Sequence, residues 1–324
     1  MNKLQVCVTG ANGFIGRSLV KTLVLQGYSI RVLTRHHNII FPEGVQVVTG
    51  DLTSPDCSLF QFLTGCDVLF HCAGEIHNVV AMNLLHIGGT DRLLKEILNV
   101  QERTRQKIHW VQLSSVGAYG PPQDKKQHNS RIVTETSPTR PVGDYEITKT
   151  RSDELVIQAG LSGSITYSIV RPSNVVGPNM TNQSLRGLIQ MVKRGLFFYV
   201  GKPGAIATYI HVDDVVSSLI TCAVNPKACG QIYNLSCDCF LEDMIIIIAS
   251  VLRVPPPWLR IPEPIIRLLI TLFEARLNIP LTPSRIDALV NRTKYPSDKI
   301  VSDLGFRFSK PMPNAIGDLV REFS

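Results

Sequence analysis

Tyr145 and Lys149 stand four residues apart, which on a helix puts them one turn apart on the same face. A free phenol ionises near pH ~10 and is a poor base at neutrality, but a neighbouring ammonium favours the phenolate and lowers that value. Such a pair can exchange a proton with an alcohol or carbonyl oxygen while hydride moves at the attached carbon. Near the start, Thr9-Gly10-Ala11-Asn12-Gly13-Phe14-Ile15-Gly16 places glycines three apart. Glycine permits a tight turn and lets backbone amides approach a pyrophosphate, and a helix starting near Gly13 adds unsatisfied N–H groups and a positive dipole end. The plainer alternative is a structural turn, which the flanking strand and helix argue against.

These residues need elements to hold them. An apolar run over residues 4–8 reads as a strand leading into the glycine loop, and residues 16–26 carry Leu19, Val20, Leu23 and Val24 at helical spacing until Gly27. Strands follow at 29–33, 46–48, 68–71, 108–113 and 164–170. Helices are read at 59–63, 84–100 and 144–159, the last with Asp144 as its cap. This alternation predicts an α/β fold: a Rossmann-type, doubly wound parallel sheet with right-handed crossovers, with polar clusters at the strand ends converging on one crevice. Beyond residue 172, prolines at 255–257, 262–264, 280–283 and 311–313 mark a smaller lobe. The division is therefore residues 1–171, with a return segment at about 205–235, for the dinucleotide-binding domain, and 172–204 with 236–324 for a discontinuous C-terminal substrate lobe.

The chain has 324 residues, 44% of them hydrophobic and 18% charged, with a formal charge of +7. That is globular composition with enough apolar material for a core. The charge is not gathered in blocks, which argues against a nucleic-acid partner. Eight cysteines at irregular spacing form no Cys-x-x-Cys, so no metal is expected; reduced thiols and the absence of a leader-like start point to the cytoplasm. No transmembrane span is read; residues 264–281 could pack on the domain, on a second subunit or on a membrane surface, and the first two are favoured. Asp213-Asp214 is read as structural, and His71 as a core or loop histidine.

Taken together, the glycine loop, Gly50-Asp51-Leu52, His71-Cys72-Ala73-Gly74, Ser114-Ser115-Val116-Gly117-Ala118-Tyr119-Gly120 and Tyr145-x-x-x-Lys149 resemble the extended short-chain dehydrogenase/reductase superfamily, the NAD-dependent epimerase/dehydratase branch. Arg171-Pro172-Ser173-Asn174, His211-Val212-Asp213-Asp214 and Leu304-Gly305-Phe306 continue that resemblance almost to the end of the chain. It implies Ser115, Tyr145 and Lys149 as catalytic residues. It implies a cofactor site from Gly10, Asn12, Gly13, Phe14, Ile15, Gly16, Arg35, Asp51, Leu52, Cys72, Ala73, Gly74, Tyr145, Lys149 and Pro172, and substrate contacts from Asn174 and Arg292. The implied cofactor is NAD(P). No acid follows the second strand, and Arg35 stands where it could meet a 2′-phosphate, so NADP is favoured over NAD.

The chain departs from the family pattern in two further places: His86 replaces a structural asparagine, and Ala207 stands where an arginine commonly grips a substrate diphosphate. The sugar dehydratases of the family carry Thr-Asp-Glu where this chain has Ser115-Val116-Gly117, which argues against elimination. The expected function is a nucleotide-sugar epimerase or 4-ketoreductase in cell-surface polysaccharide synthesis, with a homodimer through the helices at 84–100 and 144–159. The alternatives are a reductase of an apolar ketone, of hydroxysteroid or dihydroflavonol type, and a non-catalytic NADP-binding scaffold.

Overall fold

The computed structural model describes residues 4–36, 38–54, 57–122, 130–180, 183–273 and 282–323. Its centre is a seven-stranded sheet: β1 (Gln5–Thr9), β2 (Ser29–Thr34), β3 (Val45–Thr49), β4 (Val68–His71), β5 (His109–Leu113), β6 (Thr166–Pro172) and β7 (Gln231–Leu235). The order is β7-β6-β5-β4-β1-β2-β3, and every pairing is parallel. The chain reverses its winding between β1 and β4, and a crevice opens there beyond the strands' carboxyl ends. Interior strands are buried on both faces, whereas the edge strand β3 is partly open, with Val47 47% exposed.

Helix α1 (Phe14–Leu25) follows β1 and buries Leu19, Val20 and Leu23 against β-strand residues such as Val8 and Val32. The helix expected at 84–100 is longer and interrupted. A π-helical segment at Asn83–Gly89 follows the turn Val79–Met82 and leads into α2 (Thr90–Thr104). Helix α3 (Asp144–Leu161) packs beside it. Its N-cap is Gly143, not Asp144; the aspartate falls inside the first turn, where its charge complements the positive end of the helix dipole. Helix α4 (Val212–Val224) returns the chain to the sheet and leads towards β7.

A second apolar cluster lies outside the sheet. It is built from the helix at Gln183–Lys193, the helix at Leu241–Leu252 and the helix at Met312–Phe323, around Met244, Ile245, Ile248, Met312 and Ile316. Two-residue strands at Ile206–Ala207 and Cys239–Phe240 pair beside it. Of the stretch 264–281, the part up to 273 lies in the helix Glu263–Phe273, and 274–281 fall outside the described residues. Among the described residues, no helix is long and apolar enough to cross a membrane.

Candidate active site

The glycine loop is shaped by close approach. Gly10 has φ +68°, and a Cβ there would sit 2.5 Å from the Cys72 carbonyl and the Ala73 nitrogen. A Cβ on Gly16 would fall onto the Gly10 carbonyl. The loop is therefore pressed against the chain leaving β4. Gly13 donates its N–H to the Gly10 oxygen at 3.0 Å and opens α1, whose first turn carries neither a side-chain cap nor an acid. Its free N–H groups suit an anion.

A crevice of about 280 Å³ lies here. It is lined by Gly10, Asn12, Gly13, Arg35, Asp51, Leu52, Cys72, Ala73 and Gly74, and also by Thr34, His36 and Leu85, which sequence reasoning missed. The other three loop residues lie behind it. Phe14 and Ile15 pack into the core, and Gly16 is buried against Gly10. Asn12 donates from Nδ2 to Thr34 Oγ1 at 2.8 Å, while its Oδ1 is buried without a partner, an acceptor suited to a ligand hydroxyl. At Asp51, burial raises the carboxyl pKa, but two 2.8 Å bonds from Thr53 and the charges of Arg35 and Arg92 outweigh it and hold the group below its ordinary value. A close-fitting glycine cradle, a helix N-terminus and an ionised Asp51 fit an adenine dinucleotide.

The adjacent serines at the end of β5 part ways. Ser114 turns inward and donates to Asp153 Oδ2 at 2.6 Å. Ser115 caps the turn Val116–Tyr119 by accepting the Gly117 N–H at 3.0 Å, which leaves its hydroxyl proton for another acceptor. Helix α3 packs on this turn; a Cβ on Gly117 would meet Glu146 Cγ at 2.6 Å. Tyr145 is half-buried, and Lys149 one turn on is 4% exposed. Lys149 reaches the crevice side electrostatically: burial lowers its pKa, and Asp153 and the Cys72 thiol oppose that shift.

The phenol moves against the sequence expectation. Burial first, then Glu146 and Asp153, push Tyr145 up to about 12. The half-buried setting costs the phenolate its hydration, and two nearby carboxylates repel it. At neutral pH Tyr145 is thus protonated. Glu146 adds to this effect and went unnoticed in the sequence.

The remaining candidates are scattered. Pro172 ends β6 opposite Leu235. Asn174 is exposed on a short strand, and its Nδ2 donates to the Thr208 carbonyl at 3.0 Å. Arg292 donates to the carbonyls of Lys202 (3.1 Å) and Pro203, tying down that turn rather than lining the crevice. Ala207 is buried, so the family's arginine position offers no charge. His71 is a core histidine bonded to Thr9 Oγ1 at 2.7 Å, and Asp214 is taken up by Ser309 and the Lys310 N–H.

Comparison with known proteins agrees with this architecture. The chain is 29% identical over 245 residues to a 4-hydroxy-2-methyl-3-oxo-4-farnesyl-3,4-dihydroquinoline-1-oxide ketoreductase of Stigmatella aurantiaca, covering 72% of this chain and 68% of that protein. It is 23% identical over 273 residues to a UDP-glucose 4-epimerase of Vibrio cholerae, covering 81% and 79%. A UDP-glucose 4-epimerase from Thermotoga maritima, solved with UDP-glucose, shares the fold with a TM-score of 0.73 at 16% identity, over 99% of this chain and 98% of that one. Residues 6–236 match the NAD dependent epimerase/dehydratase family, and the chain belongs to that family of NAD(P)-dependent epimerases and reductases.

Proposed function

We propose that this protein is a nucleotide-sugar 4-ketoreductase or epimerase acting at a keto or hydroxyl carbon of the sugar. The observation that carries the redox reading is the protonated Tyr145 phenol at the start of the helix that packs on the Ser115 turn, with no acid at Val116 or Gly117. NAD(P), when bound, supplies or accepts hydride at the reacting carbon. Ser115 hydrogen-bonds the carbonyl oxygen, and Tyr145 gives that oxygen its proton. The phenol's high pKa suits the reductive direction. Val116 and Gly117 carry no acid where the family's sugar dehydratases have Asp and Glu, which argues against elimination of water.

The sugar assignment draws on the resemblance to UDP-glucose 4-epimerases. The buried Ala207 favours a second reading, an apolar ketone, as does the relative named for a farnesylated quinoline. A thermal-shift screen with cofactor present separates the two. Stabilisation by UDP-, GDP- or dTDP-sugars supports the first, and response only to apolar ketones replaces it with the second. Tyr145→Phe should then lower turnover by at least about 10²-fold with cofactor affinity retained; near-normal turnover removes Tyr145 from the mechanism. NADP as the preferred cofactor rests on exposed Arg35 and His36 at the crevice rim. Eight free cysteines fit a reducing cytoplasm, and exposed Val80, Leu84 and Leu98 along the helices from 79 to 104 offer a face for a homodimer. A role in polysaccharide synthesis follows from the same resemblance.

A further inference from the structure

His86 lies in the π-helical segment, 1% exposed, between the cofactor crevice and the catalytic helix. On one side, its Nε2 receives the Glu75 backbone N–H at 2.9 Å. An amide can only donate, so Nε2 carries no proton, and the neutral ring holds its proton on Nδ1. Nδ1 faces Thr148 Oγ1 at 2.8 Å and donates to it. The single Thr148 hydroxyl proton in turn goes to the Asp144 carbonyl at 2.8 Å, with the Tyr145 carbonyl also in reach at 3.1 Å. Every donor in this chain has its acceptor, and only one tautomer satisfies it.

The two ends matter. Glu75 continues directly from Cys72-Ala73-Gly74, the wall of the crevice, and its carboxylate gathers the N–H groups of Ile76, His77 and Asn78, so this loop is a folded unit hung on His86. Asp144 and Tyr145 open the first turn of α3, and Thr148 lies one turn on. The His86 ring also meets the Tyr145 ring edge-on, with centroids 5.6 Å apart at 82°. A π-turn widens the helix by one residue, and such turns often mark functional positions.

We infer that His86 is a positioning residue: its single tautomer latches the crevice loop at Glu75 to the first turn of α3 and so sets the placement of the Tyr145 phenol. The inference rests on Tyr145 being the acid–base group. A cofactor pressing on the loop is thereby linked mechanically to the proton donor. Burial, aided by the Lys149 charge, pulls the imidazole down to about 3, so the latch stays neutral and intact at physiological pH.

The tautomer can be read without turnover, by nitrogen-15 NMR of the histidine-labelled full chain. A proton on Nδ1 and no titration between pH ~5 and ~8 are expected; an Nε2-protonated or titrating His86 overturns the latch. For function, with the substrate identified by the screen, His86→Phe keeps a ring against Tyr145 but loses both bonds. It should lower kcat by about 10- to 100-fold with cofactor Kd within about threefold, and shift the pH–rate profile. His86→Gln, with one acceptor and one donor, should restore most of kcat. In a Tyr145→Phe background, His86→Phe should cost nothing further. If His86→Phe does not fold, Thr148→Val removes the lower bond at equal size and should reproduce the kcat loss. Unchanged kcat and pH profile, no rescue by Gln, or full additivity with Tyr145→Phe would each refute the positioning role. Failure of Tyr145→Phe to affect turnover would refute the reaction scheme instead, leaving the NMR result to stand alone.

Discussion

Replacing Asp153 by alanine tests how the floor of the site is built. Asp153 is 0% and Arg171 3% exposed, and they face each other from α3 and β6. The Asp153 carboxylate accepts from Arg171 Nη2 at 3.1 Å and Nε at 3.3 Å, and from Ser114 Oγ at 2.6 Å. Arg171 also lies over the Tyr119 ring, 5.0 Å from its centroid. Removing the carboxylate strands a guanidinium in a site that water does not reach, and breaking one half of a buried pair costs about 3–5 kcal/mol. That is a large share of a typical stability of about 5–15 kcal/mol. The cost comes from the orphaned charge rather than from the pair's net attraction. Asp153→Leu combined with Arg171→Met should therefore recover most of the loss. Urea unfolding followed by far-UV circular dichroism gives both values. A single variant losing under about 1 kcal/mol, or a double variant less stable than the single, refutes this reasoning. A second readout follows from the same group. Asp153 raises the pKa of both Tyr145 and Lys149, so its loss should bring the phenol closer to its ordinary value and lower the ammonium further.

Four other expectations follow. His71 and His86 are held neutral by burial, with Lys149 adding to the shift; the unfolded chain takes up protons near pH ~6.5 and the folded chain does not, so stability is complete above that pH and falls below it, by up to about 1.4 kcal/mol per pH unit for each histidine. Unfolding midpoints at pH 7, 6 and 5 should show a shallower decline in His86→Gln, and an equal decline would exclude His86 as a source. Gly10→Ala forces a left-handed residue against the Cys72–Ala73 peptide, costing about 1–2 kcal/mol from the backbone alone, and should abolish cofactor binding in calorimetry; undiminished affinity would show that the crevice is not the cofactor site. Arg35→Ser should weaken NADPH by about 10-fold or more and leave NADH within about threefold, whereas equal losses would remove the NADP preference. Ser114→Ala should cost about 1–3 kcal/mol of stability and spare turnover, while Ser115→Ala should lower turnover and cost only the cap of a short turn, about 1 kcal/mol; the reverse pattern of turnover loss would exchange their roles.

The alternation of strand and helix, the glycine spacing and the Tyr145–Lys149 pair were legible in the linear chain because each is a local property. A period of hydrophobicity or a demand for positive φ is written into neighbouring residues, and parallel crossovers then leave few ways to assemble them. The interruption at Asn83–Gly89 was not legible, since its residues alone read as ordinary helix; tertiary contacts of His86 coincide with the extra residue. Nor could composition tell which of two adjacent serines faces inward, because Asp153 reaches Ser114 from 39 positions away. Arg292 had the right charge for a substrate contact, yet the fold ties it to the turn at Lys202 and Pro203.

The direction of the phenol's pKa shows where the division falls. From sequence, a lysine one helical turn away predicts a lowered value. In the folded chain, burial and two carboxylates raise it instead. Residue identity and spacing determined which groups could meet. Desolvation and through-space charge, which exist only once the chain has closed around them, decided which protonation state they hold.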